Sequence, residues 1–314
     1  MFSAIRLKRS SLFIFNFDMM LKLFLKKVFV FLLMLSIVNA LLFFLIRGFY
    51  IKDYDEVDLT YSEFLLADSH GTPLGDFTEI HDVHNFSSQS DSYLDMERKL
   101  RYLIRNTQVK KIYISVDDHT LSPTREDQNN LDRSSFYADQ NDFSSYQAYF
   151  FSKYLKYYCV FLNDRYSLII KNFLQDELFD YSKWGGVRSK AAWEDLNISE
   201  QKKKSLDRIE NYFVDSIPSK EMTNALERII RTCKSNEIDL VGLKFPLSKT
   251  YYGMLGEESY DTESIFIRNE LFVMDLDDLF LEQDSLFRDM DHLDIEGGEI
   301  FADILFDSLE SVLR

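Results

Sequence analysis

Hydrophobic positions divide the chain into three regimes. From Val28 to Ile46 the sequence VFVFLLMLSIVNALLFFLI runs without a charge, which is long enough to cross a bilayer core as a helix. After about residue 60 short apolar runs alternate with amphipathic stretches. Five runs read as strands: Glu63–Ala67, Val83–Phe86, Ile112–Val116, Asp239–Pro246 and Leu271–Leu276. Between them, Tyr93, Met96, Leu100, Leu103 and Ile104 recur at a helical period over Tyr93–Arg105, with Ser90 or Asp91 as the cap. A short helix is expected over Gly71–Thr78, another over Thr262–Asn269, and amphipathic helices over Ser219–Asn236 and Ile295–Leu313. This rhythm predicts a parallel sheet with helices on both faces. The third regime, residues 117–218, interrupts it. A polar stretch (117–141) gives way to an aromatic one, where Tyr146, Tyr149, Phe150, Tyr154, Tyr157, Tyr158 and Phe161 read as core packing in a mostly helical insertion. Trp184 and Trp193 fall in a loop where rings can stack on a sugar, and Ser199 reads as a helix cap.

Charge gives the apolar run an orientation. Residues 1–50 carry seven Lys/Arg against the single acid Asp18, whereas the whole chain carries a formal −16, so the remainder carries −22. Lys22, Lys26 and Lys27 precede the run, and Asp53, Asp55, Glu56 and Asp58 follow it. By the positive-inside rule, residues 1–27 are expected in the cytoplasm, 28–46 in the membrane and 52–314 as an extracytoplasmic domain. Val38-Asn39-Ala40 is a poor cleavage site and the run exceeds an ordinary signal-peptide core, so an uncleaved anchor is expected. Met19 or Met20 would make a more ordinary start than the first 18 residues. The acidic outer part argues against a nucleic-acid partner. Cys159 and Cys233 lack metal-type spacing and read as separate thiols. No cofactor and no metal site is expected, and His81, His84 and His119 read as bystanders.

Two short segments carry the chemistry. The first apolar strand ends in Asp68-Ser69-His70-Gly71, where a tight strand-to-helix turn can lift the Ser69 hydroxyl above the sheet. Far away, Asp289-Met290-Asp291-His292-Leu293 precedes the last helix. His292 can take the serine proton and Asp289 can orient its imidazole, with Asp291 as a rival for that second role. Asp68 reads as shaping the turn. In an open α/β sheet functional groups gather at the carboxyl ends of the strands, so Ser88, Asp117 and Tyr251, in the turns after strands two, three and four, are candidates for oxyanion or substrate contacts. The Ser69 N–H and an N–H near Ser88 are the oxyanion donors expected.

A serine after the first strand and Asp-x-x-His before the last helix is the order of the SGNH (GDSL-like) hydrolases, which this chain resembles over about residues 60–116 and 238–313. Ala67-Asp68-Ser69 stands in place of the family's Gly-Asp-Ser. The glycine of its second block is replaced within Asn85–Ser90, and its Gly-x-Asn-Asp block reads Ser115-Val116-Asp117-Asp118-His119. The resemblance implies a three-layer, flavodoxin-like parallel sheet. His70, the Pro246–Tyr252 loop and Asp-x-x-His-Leu look more like the membrane-anchored branch that modifies cell-envelope polysaccharides, including relatives of alginate and teichoic-acid acylation proteins. That implies O-acetyl transfer to, or ester hydrolysis from, a cell-surface polysaccharide, with a multi-pass membrane acyltransferase as partner. The missing asparagine keeps another class open, a non-catalytic glycan-binding or scaffold subunit.

Overall fold

The computed structural model describes residues 2–54, 56–166, 169–170, 192–256 and 258–313. It divides into two compact units, Met1–Ile51 with Tyr154–Phe179, and Lys52–Lys153 with Asp180–Arg314. The first holds helix α1 (Phe2–Ile46), of which Met19–Ile46 is long and apolar enough to cross a membrane.

The second unit is built on five parallel strands, β1 (Glu63–Leu66), β2 (Val83–Asn85), β3 (Lys111–Ser115), β4 (Asp239–Lys244) and β5 (Val273–Asp275), in the order β2-β1-β3-β4-β5. Each strand stops one or two residues inside the apolar run that announced it, because side chains stay buried after the ladder ends. Ala67, Phe86, Val116 and Phe245 are all buried just beyond strand ends.

Successive strand residues point to opposite faces, and both faces are covered. Phe64, Leu66, Ile112, Ile114 and Leu240 meet α2 (Tyr93–Asn106) and the helix Lys220–Ser235 on one side. Leu65, Tyr113, Val241 and Leu243 meet the helix Ile295–Leu313 and the turn segment after β1 on the other. Burying each such aliphatic or aromatic side chain stabilises the fold by about 1.5–3 kcal/mol. The cap of α2 is Ser92 rather than Ser90 or Asp91. The Ser92 N–H donates to Asp95 Oδ2 at 2.9 Å, a carboxylate three residues into the helix that the apolar period does not reveal.

Among the described residues, 117–218 contain short single turns, a continuous helical stretch over Tyr146–Tyr157 that passes from α to π geometry, and one long α-helix, α3 (Ile198–Tyr212). Its cap is Asn197, whose Oδ1 accepts the Ser199 and Glu200 N–H groups, so Ser199 is already inside the helix. Next come α4 (Lys220–Ser235), whose Ser219 Oγ accepts the Met222 N–H at 3.1 Å, and α5 (Lys249–Leu255), where a loop was expected. The aromatic, β-branched and glycine content of Lys-Thr-Tyr-Tyr-Gly hides that helix from propensity. Helices α6 (Thr262–Arg268) and α7 (Ile295–Leu313) complete the unit. Trp193 is buried in the second core beside Leu286 and Phe287, so it packs the fold rather than offering a sugar platform; Trp184 lies outside the described residues. Cys159 and Cys233 are both free thiols.

Candidate active site

The chain leaves β1 in one direction and β3 in the other, and this sheet order places a crevice between their carboxyl ends. Ser69 follows β1 there. Every residue from Phe64 to Gly71 is buried except Ser69, which remains partly accessible. Asp68 shapes the turn as read from the sequence: its Oδ1 accepts the His70 N–H at 3.0 Å and its carbonyl accepts the Gly71 N–H at 3.2 Å. Gly71 has an ordinary φ of −81°. It is needed because a Cβ there would lie 2.7 Å from Ala67 Cβ and 2.4 Å from Ser87 Oγ. The expected α-helix after it is a 3-10 segment, Thr72–His81, kinked at Gly75.

Helix α7 brings in the second half. Gly298 lies where a Cβ would sit 2.1 Å from the Pro73 carbonyl oxygen, so α7 packs backbone to backbone on the segment that starts beside Ser69. The loop before α7 therefore ends over the serine. His292 Nε2 lies 2.7 Å from Ser69 Oγ, and His292 Nδ1 lies 2.7 Å from Asp289 Oδ1. The same Asp289 oxygen accepts the His292 N–H at 3.1 Å and the Asp291 N–H at 3.3 Å. One carboxylate thus closes the turn and fixes the ring. With the Nδ1 proton donated to Asp289, Nε2 is free to accept from the serine hydroxyl.

Asp291 is also close. Its Oδ1 lies 3.0 Å from His292 Nδ1 and 3.1 Å from Arg208 Nη2, both as ion-pair contacts. It is buried, whereas the Asp289 side chain is about a third exposed. Burial raises a carboxylate pKa, but His292 and Arg208 prevail and hold Asp291 well below the usual range. For His292, burial favours the neutral ring, yet Asp289 and Asp291 outweigh it and raise its pKa above the ordinary 6.5.

A buried ionic network lies behind these groups. His70 Nδ1 contacts Asp117 Oδ2 at 3.0 Å, and Asp68 Oδ2 meets His119 Nε2 at 3.2 Å and Arg125 Nη2 at 3.1 Å. The Tyr212 ring stacks on His119 at 4.3 Å. His119 is therefore an integral member of the network, not a bystander. Spacing along the chain gave no signal for Arg125, Arg208 or Tyr212, which all come from the segment that interrupts the α/β rhythm.

The other sequence candidates lie apart from the serine–histidine pair. Asp117 Oδ1 accepts the Phe245 N–H at 2.8 Å while Oδ2 holds His70, so both oxygens are engaged and neither is a donor for an oxyanion. The Ser88 N–H donates to the Ala67 carbonyl at 3.2 Å, which removes it as a free donor. Tyr251 is buried with Leu247 and Leu255, lining a small cleft with Asp117, His119 and Lys244 rather than Ser69. The Ser69 N–H has no acceptor among the described residues.

Two sets of side chains bring ligand-type atoms within 4.8 Å of one another: Asp68, His70 and His119, and His70, Asp291 and His292. In each a guanidinium, Arg125 or Arg208, already meets the carboxylate at 3.1 Å.

No family model matches the chain, and no curated protein matches it in sequence. Similar solved structures exist. One is a GDSL-like lipase from Bacteroides thetaiotaomicron VPI-5482, with 8% identity and a TM-score of 0.40 over 84% of this chain and 96% of that one. Another, from Bacteroides fragilis NCTC 9343, is designated an acylhydrolase and shows 9% identity and a TM-score of 0.38 over the same shares. A lipolytic-type protein of the G-D-S-L family from Desulfitobacterium hafniense DCB-2 shows 9% identity and a TM-score of 0.37 over 78% of this chain and 98% of its own.

Proposed function

We propose that the protein is an SGNH-type serine enzyme that transfers acyl groups on a cell-surface glycan, as an O-acetyltransferase or O-acetylesterase. The observation that carries this reading is the hydrogen-bonded series Ser69 Oγ–His292 Nε2 and His292 Nδ1–Asp289 Oδ1, each at 2.7 Å, at the carboxyl edge of a parallel sheet. Ser69 attacks the acyl carbonyl while its proton passes to His292 Nε2. The tetrahedral oxyanion is met by the Ser69 N–H. His292 then returns the proton to the departing alcohol, leaving an acyl-serine. In the second half His292 deprotonates water or a sugar hydroxyl, which takes the acyl group and frees the serine. Asp289 keeps the proton on Nδ1 and stabilises the imidazolium.

The glycan and the membrane setting rest on the resemblance of the Asp-Ser-His and Asp-x-x-His-Leu segments to envelope-modifying proteins and on the apolar Met19–Ile46 helix. In this reading the helix anchors an extracytoplasmic domain, and a multi-pass acyltransferase delivers the acyl donor.

Fluorophosphonate labelling of the full-length protein followed by peptide mass spectrometry tests the reading. A label on Ser69 that disappears in Ser69→Ala and His292→Ala is expected. Absence of label on folded protein would overturn it. The engaged Asp117 oxygens and Ser88 N–H favour a second reading in that event, a glycan-binding subunit that keeps the fold without turnover.

A further inference from the structure

The aromatic stretch after residue 143 reads from the sequence as core, yet most of it faces outward. Within the unit that contains α1, Tyr154, Leu155, Phe161 and Leu162 are exposed, Leu162 to 66%, and Tyr157 is the buried member of the stripe. Large apolar side chains exposed together mark a surface that meets something apolar.

Contacts with α1 place this segment along the helix. Asn39 is the one amide side chain in the uncharged run from Val28 to Ile46. It donates from Nδ2 to the Tyr158 carbonyl at 3.2 Å and accepts the Val160 N–H on Oδ1 at 2.8 Å. One turn above, the Phe43 and Tyr158 rings lie 4.6 Å apart. Tyr166 has returned to the level of Tyr50, with ring centroids 6.1 Å apart. At 1.5 Å per helical residue, Asn39 lies about 10 Å inside the end of the apolar run at Ile46. The chain therefore descends to that depth at Tyr158–Val160 and climbs out again by Tyr166.

We infer that Tyr154–Leu162 is a second membrane-embedded segment, a turn that dips into the lipid beside α1 and is tethered there by Asn39. The inference rests on Met19–Ile46 spanning the bilayer. Lipid offers no hydrogen bonds, so irregular backbone at that depth must find partners in the protein. Several of its groups do so here: beyond the Asn39 pair, the Leu162 N–H bonds to the Cys159 carbonyl at 2.9 Å, and Asn163 Nδ2 bonds to the Tyr157 carbonyl at 3.3 Å. The one charge in the stretch, Lys156, is exposed with its Nζ 5.1 Å from the Tyr157 ring centroid, and its long stem allows the ammonium to turn toward the headgroups. Phe161 and Leu162, which follow the Asn39 contacts, are exposed and face the acyl chains in this reading.

The test uses the full chain in phosphatidylcholine vesicles, with and without brominated acyl chains. Cys159→Ser removes the more accessible thiol. Cys233 stays in place, since burial pushes its pKa up to about 12 and keeps it unreactive. Leu162→Cys, at an exposed position, carries an NBD fluorophore, and Leu41→Cys on α1 serves as the depth reference. Quenching of both positions by brominated lipid is the expected result. Quenching at Leu41 alone would overturn the inference while leaving the helix in the membrane, and would assign the exposed surface to a protein partner or a second copy. Quenching at neither would overturn the spanning helix itself and the dipping turn with it. In Asn39→Leu the Leu162 signal should fall while the Leu41 signal holds; an unchanged Leu162 signal would overturn Asn39 as the tether.

Discussion

His70 Nδ1 lies 3.0 Å from Asp117 Oδ2, inside the protein and directly behind the His292 ring, whose centroid is 4.9 Å from that of His70. Burial alone would keep this imidazole neutral. Asp117 and Asp68 outweigh it and raise its pKa well above 6.5. Near neutral pH His70 is therefore held as the cation. With Arg125 and Arg208 it balances the carboxylates of Asp68, Asp117 and Asp291, so the change of charge in the site is left to His292.

Replacing His70 removes that balance. His70→Gln should cost about 3–5 kcal/mol, the range for stripping one partner from a buried ionic set. Because the folded pKa is raised, the stabilisation is complete below the unfolded value near 6.5 and is lost as pH rises through the folded value. Urea midpoints of the native protein should fall over that alkaline window, and those of His70→Gln should fall less, keeping only the part that His292 contributes. A variant that keeps both native stability and the native alkaline fall would refute the cationic role.

The rate profile tests His292. The ring must be neutral to accept the serine proton, so kcat/KM for p-nitrophenyl acetate should rise with pH, with an apparent pKa above 6.5. Asp291→Asn removes one of the two carboxylates that raise it and should shift the limb downward. An acid limb below 6.5, or one that Asp291→Asn does not move, would contradict the assignment.

Two carboxylates at Nδ1 predict a particular pattern of loss. Removing the orienting Asp of a serine triad costs roughly 10⁴-fold in kcat. Here Asp291 remains 3.0 Å from Nδ1, so Asp289→Asn should lose less than about 10⁴-fold. The double variant Asp289→Asn/Asp291→Asn should reach the full loss. Equal losses in the single and double variants would show that Asp291 has no share in orienting the ring.

Gly71→Ala tests the close approach at the turn. The Ser87 hydroxyl can rotate aside, although it then gives up the Ala67 N–H it accepts at 3.1 Å, but Ala67 Cβ cannot move without the strand. The expected destabilisation is about 1–3 kcal/mol by overpacking, with a fall in fluorophosphonate labelling as Ser69 shifts. Native melting temperature and labelling in this variant would show that the turn has more room than the geometry implies.

The sheet was legible because apolar runs between Gly- and polar-rich turns carry a strong local signal, and β1 to β5 appear in the predicted places and order. The amphipathic periods of α2, α4 and α7 were equally plain. Short elements were not: α5 is seven residues long with poor helix formers, and its existence depends on burying Tyr251 and Leu255. At the site, Ser69, Asp289 and His292 could be picked out because each occupies the end of a recognisable element. Arg125 and Arg208 could not, and His70 stood out only as a mark of resemblance, since their importance lies in which charges the fold presses together, and no spacing encodes that. Asp117 lies at the strand end that the sequence indicates, but its oxygens are taken up by His70 and the Phe245 N–H, a pairing that the sequence does not announce.

Ser69 and His292 are 223 positions apart in the chain. The serine follows the first strand, while its base waits for the loop before the last helix, seated only when Gly298 closes on Pro73. During synthesis, then, the hydroxyl is an ordinary alcohol until almost the whole polypeptide has left the ribosome. On the proposed function, a nascent or truncated chain would be chemically inert, and reactivity would arrive together with the completed fold.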